Sequence, residues 1–185
     1  VLCRLGQYAL QSQDGGSRLQ RGELASLAGL VAESTFAPVG GIFDFEITEL
    51  PTPGQSVSVV IPLDSPIPVN AVYRKYLNGR WTSFVVDANN QLHSAPGSAG
   101  YCPPPGDTQW TSGLTAGNHC VQLTLEDGGP NDADGLVNAS IVDPGAVSVS
   151  TADDRQDDDG SGAMGGVSLL ALWALRRYRR REWGR

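Results

Sequence analysis

Glu126–Asp143, EDGGPNDADGLVNASIVD, sets seven carboxylate or amide side chains among glycines and a proline. Glu126, Asp127, Asn131, Asp132, Asp134, Asn138 and Asp143 could supply the oxygens that Ca2+ takes from a protein loop. Asp132-x-Asp134-Gly135 has the alternation and the turn glycine of such loops, but Pro130 stands where a first aspartate would be and Ile141 where a bidentate glutamate would be. The same residues suit a second chemistry, in which Asp and Asn side chains cap local backbone N–H groups around a tight turn. The sequence leaves both open, and Ca2+ is the one cofactor it suggests.

Acid–base or nucleophilic chemistry finds less support. His93 and His119 are the only histidines, neither lies in a Ser/His/Asp arrangement, and GxSxG and Walker-type phosphate-loop patterns are absent. Glu126 and Asp127 are adjacent carboxylates with nothing to single them out as an acid–base pair. The expectation is a non-catalytic module. Of three cysteines, Cys102 and Cys120 bracket the loop CPPPGDTQWTSGLTAGNHC, with no CxxC or Cys/His spacing for zinc. A disulfide between them is the leading reading and implies an oxidising compartment; two buried thiols are the alternative. Cys3 is left odd.

The elements that would position these groups read as strands. GIFDFEI alternates apolar and acidic residues, QSVSVVIPL is β-branched, and NAVYRKYL, GRWTSFVVDA, HCVQLTLED and GAVSVST continue the theme. LPTPGQ, DSPIPVN, LNGR, NNQ and APGSAG punctuate them as turns. YRKYLNGRWTSF reads as one hairpin with Asn78-Gly79 at its tip. The pattern predicts an all-β fold, an Ig-like or jelly-roll-type β-sandwich. Residues 1–39 are the least legible; LQRGELASLAGLVAES has the makings of a short helix, weakened by Gly22 and Gly29. The organisation expected is 1–39 as the N-terminal part of the β module, 40–149 as its main body, 150–162 as an acidic Gly/Asp linker and 163–185 as a terminal segment.

Charge is distributed unevenly. The net charge is −7, yet upstream of Arg176 seven cations stand against 19 acids, a net of −12, while six of the 13 cations lie from Arg176 onward. So acidic a body excludes nucleic acid as a partner. The terminal run VSLLALWAL spans nine residues, or 13 from Ala163, short of the roughly 20 that cross a bilayer comfortably. It lacks a polar face; a short helix docked on the domain is its alternative reading. Arg176, Arg177, Arg179, Arg180 and Arg181 follow, and the positive-inside bias assigns them to the cytoplasm, with the β domain on the far side. The chain opens at Val1 with no basic and apolar leader, so it is expected to be the C-terminal piece of a longer protein.

The tail GSGAMGGVSLLALWALRRYRRR resembles the GlyGly-type C-terminal sorting signals of Gram-negative bacteria, with Ser161, Ala163 and Met164 interrupting its glycines. That resemblance implies recognition by a rhomboid-type sorting protease around Gly160, Gly162, Gly165 and Gly166, where glycine makes a helix easy to unwind. GGIFDFEI, GQSVSVVIPL, IPVNAVYRKY, SAPGSAGYCPPPGD, GLTAGNHCVQLTLEDGGPNDADG and DPGAV resemble the choice-of-anchor U domain, over roughly residues 40–147. It implies an extracytoplasmic β module that links upstream domains of a bacterial surface or secreted protein to a C-terminal signal. The membrane, a sorting protease and the upstream domains would be its partners, and the cell envelope or surface its location. A calcium-stabilised adhesion or ligand-binding module is the alternative.

Overall fold

Short β-branched runs between turn formers fold as the alternation requires. A computed structural model of the chain describes residues 1–152 apart from 13–15, 17, 21, 24–26 and 28. The expected linker beyond Ala152, the Gly160–Gly166 segment, the expected apolar terminal helix and the arginine cluster lie outside the described residues. Val1–Thr151 forms one unit, so the first 39 residues belong to the same body as those that follow.

Among the described residues, eleven strands make two antiparallel sheets. In the larger, β1 (Leu2–Leu5), β4 (Ile42–Thr48), β11 (Ile141–Ser150), β6 (Val72–Leu77) and β7 (Arg80–Ser83) lie side by side in that order. β2 (Arg18–Leu19) adds to β4 and β3 (Phe36–Pro38) adds to β11. The smaller sheet runs β5 (Ser56–Pro62), β10 (Cys120–Glu126), β8 (Gln91–Ala95) and β9 (Thr111–Ser112). β6 and β7 are the expected hairpin; Asn78 and Gly79 both take positive φ, 51° and 78°, the backbone of a type I′ turn.

Alternation decides which residues meet between the sheets. Phe43, Phe45 and Ile47 of β4, Tyr73 of β6 and Ile141 and Val147 of β11 share one core with Ile61 of β5 and Val121, Leu123 and Leu125 of β10. A second core covers the other face of the larger sheet. There Ile42, Tyr76 and Ala146 pack under Tyr8, Ala9, Leu19, Leu27 and Leu30 from the N-terminal residues.

This second layer corrects a simple reading of GIFDFEI. Its acidic positions do not all face solvent: Asp44 is fully buried, and its Oδ2 accepts the backbone N–H groups of Tyr8 (2.7 Å) and Ala9 (2.8 Å) at the one-turn 3-10 helix Ala9–Gln11. Glu46 stays half-buried and pairs with Arg4 at 2.8 Å. The stretch read as a possible helix shows no α-helix among its described residues; it contributes Leu19, Leu27 and Leu30 to the cover instead.

Candidate functional site

Cys102 and Cys120 form the expected disulfide, with Cα atoms 5.6 Å apart. It ties a loop to the first residue of β10. The loop is ordered from within as well: Trp110 Nε1 donates to the Pro104 carbonyl (2.9 Å), and Asp107 Oδ1 accepts the Gln109 N–H (2.9 Å). Gly97 takes φ +46° against the bridge, where any Cβ would collide with Cys120 Sγ. Cys3 is a free thiol at the surface.

The acidic loop follows β10, and its side chains turn to backbone groups. Asp127 Oδ2 accepts the N–H groups of Gly54 (2.7 Å) and Ala139 (2.8 Å), and its Oδ1 that of Asn138 (3.1 Å). Burial pushes the Asp127 carboxyl up, but these amides, with that of Ser140, hold it below the usual range. Asp132 spans Val142 N–H with Oδ1 and Gly128 N–H with Oδ2, both at 2.9 Å. Burial outweighs these bonds and pushes Asp132 up. Asn131 is fully buried and exchanges two 2.8 Å bonds with the Val85 backbone. Asp134 accepts the Leu136 N–H (2.8 Å) and the Asn138 amide (3.0 Å); Asn138 Oδ1 accepts the Ser140 N–H (2.9 Å). Glu126 accepts from the Asn89 amide at 2.7 Å.

Of the seven oxygen donors, then, six cap or stitch local groups and the seventh, Asp143, lies elsewhere. Among the described residues no three His, Cys, Asp or Glu side chains gather as they would around a metal ion. Most of the oxygens that would bind such an ion accept N–H groups here.

Asp143 is not part of the loop. It sits on β11 opposite Phe45, in the core between the sheets, and is fully buried. Lys75 of β6, also fully buried, forms an ion pair with Asp143 Oδ1. Register explains the meeting. Lys75 stands directly opposite Gly145, and Asp143 is two residues along β11, so both side chains project from the same face as diagonal neighbours. Gly145 is needed there for space: a Cβ would come within 2.7 Å of the Tyr73 ring, and 3.0 Å from both Tyr73 Oη and Asp143 Oδ1.

The pair lacks what buried charges ordinarily have. Lys75 Nζ and both Asp143 carboxylate oxygens have no partner in hydrogen-bond geometry, and neither does the Tyr73 hydroxyl. Burial drives each group toward its neutral form. It pushes Lys75 down, against the pull of Asp143, Asp132 and Asp44, and pushes Asp143 up, against the pull of Lys75. Burial likewise pushes Tyr73 well up, with the charge of Asp143 adding to it. Asp44 stands opposite Pro144, hence on the other face of the sheet, so its influence on Lys75 passes through the sheet.

Sequence reasoning missed Lys75, Tyr73 and Asp44. A usable signal was present: period-two alternation in VYRKYL aligns Lys75 with Tyr73, the aromatic that enters the core. His93 lies on β8 and His119 just before β10, 

neither against a carboxylate in hydrogen-bond geometry among the described residues, and the Nδ1 atom of each is buried without a partner. Comparisons with protein-family models, curated proteins and solved structures give no match to this chain.

Proposed function

We propose that the chain is a non-catalytic extracytoplasmic β module that joins preceding domains of a bacterial surface or secreted protein to a C-terminal sorting signal. The observation that carries this reading is the order of chemistry along one chain. A disulfide-stapled, acidic all-β unit is followed by aspartates and glycines, a short apolar run and an arginine cluster. The disulfide suits an oxidising compartment and the arginines suit the cytoplasmic side, so two unrelated features favour the same topology. Within this reading the two-sheet unit is a sandwich of the Ig-like or jelly-roll type. The acidic loop is a capping device that fixes the end of β10 to the start of β11, and a rhomboid-type protease acts around Gly160–Gly166.

Intact mass of the protein recovered from its host tests the proposal. A mature C-terminus between Gly160 and Gly166 is the expected result. A mature chain ending at Arg185 overturns it, as does a reporter fused after Arg185 that is active outside the inner membrane.

A further inference from the structure

The Lys75–Asp143 pair has no role in the reading above, and its geometry is not that of a stabilising ion pair. Charges removed from water are offset only when their remaining protons and lone pairs find hydrogen bonds. Here an ammonium and a carboxylate meet in a closed core with no hydrogen-bonded partner on Nζ, Oδ1 or Oδ2. Replacing both ions by one amide would remove both charges.

We propose that Lys75 and Asp143 are joined by an intramolecular amide bond between Nζ and Cγ, formed once the fold has brought them together. Adjacent antiparallel strands supply the alignment: the long lysine chain starts opposite Gly145 and reaches one diagonal step to Asp143. Gly145 has no Cβ to keep Tyr73 and Asp143 out: Tyr73 Oη and Asp143 Oδ1 each lie 3.0 Å from where one would stand. Two groups held in contact and shut off from water react as if at very high concentration, which is what amide condensation in water otherwise lacks.

The chemistry balances without a co-reactant. The neutral Lys75 amine adds its lone pair to Cγ of the protonated Asp143 carboxyl, forming the C–N bond. The C–OH bond then breaks, and the hydroxyl leaves with one amine proton as water. One N–H and one C=O remain in the core. Nothing is oxidised or reduced. The bond would tie β6 to β11 in the middle of the larger sheet, and it does not depend on where the chain is sorted.

Intact mass of the purified full chain, with the disulfide reduced and the protein denatured, tests this directly. The expected mass is lower than that of the sequence by one water. Chymotryptic digestion and fragmentation should then give a branched peptide joining the segment with Lys75 to that with Asp143. Asp143→Asn should fall below its own sequence mass by one ammonia, because the leaving group is now nitrogen. Lys75→Met should show its full sequence mass. A wild-type chain of full sequence mass overturns the proposal. So does a water deficit that persists in Lys75→Met or maps to a succinimide at an Asp-Gly step, with Lys75 open to a lysine-specific protease. The wild-type measurement decides even if a variant fails to fold.

Discussion

Asp127 and Asp143 are both buried, and they lie at the two ends of the same oxygen-rich stretch, yet the fold treats them in opposite ways. Asp127 sits among backbone N–H groups that a turn leaves unpaired, and three of them reach its carboxylate. It stays ionised and holds the loop. Asp143 sits on a strand whose amides are committed to its neighbours; it meets Lys75 in the core, and its carboxylate oxygens have no partner in hydrogen-bond geometry. The contrast teaches that burial alone does not set the behaviour of an aspartate. The supply of nearby donors does, and it separates a structural cap from a group driven toward its neutral, reactive form.

The largest effect that would break this contrast comes from the core pair. Asp143→Ala leaves Lys75 buried without its partner and should lower stability by about 3–5 kcal/mol in urea unfolding. The double variant Lys75→Met with Asp143→Leu sharpens the point. A mere ion pair would be matched or bettered by such an apolar replacement. A covalent tie would be missed, with a loss of about 4 kcal/mol by comparison with a disulfide closing a long loop. The loss is the expected outcome.

Removing the disulfide by Cys102→Ser with Cys120→Ser should lower stability by about 3 kcal/mol, read as a lower melting temperature; reducing agent should reproduce that shift in the wild type. Asp127→Ala strands the N–H groups of Gly54, Asn138 and Ala139 and should cost about 2–3 kcal/mol. Its pH dependence has a defined sign. The folded Asp127 carboxyl lies below its usual range, and the unfolded value is about 4. Its contribution is therefore fully present above the unfolded value and disappears as pH falls through the folded one. Asp127→Asn should flatten that part of the acid limb of the stability curve. The smallest effect is expected from calcium: adding the ion or a chelator should leave the melting temperature unchanged, because the loop carboxylates are already engaged by amides.

Legibility from sequence followed the range of the interaction. Strands β4, β5, β6, β10 and β11 show their alternation locally, and Asn78-Gly79 announces its hairpin because a type I′ turn needs residues that tolerate positive φ. The capping role of the acidic loop was legible as one of two readings, since Asx caps are local. β8 and β9 were harder, being short and polar, with their pairing supplied by β10 and by each other. The N-terminal cover was not legible: it joins Leu19, Leu27 and Leu30 to Ile42, Tyr76 and Ala146, and no short period connects those positions.

By itself the sequence determined an acidic, turn-rich, all-β chain, two cysteines that bracket one loop as the leading disulfide candidates, and a terminal segment of opposite charge. Those properties rest on composition, alternation and spacing, which are written along the chain. Only the tertiary structure decided that Lys75 and Asp143 meet, that Gly145 makes room for them, and that Asp44 is sealed beneath the N-terminal residues. Cross-strand register and a second buried face bring together residues that are distant in sequence, and a buried lysine becomes recognisable only when its surroundings are known.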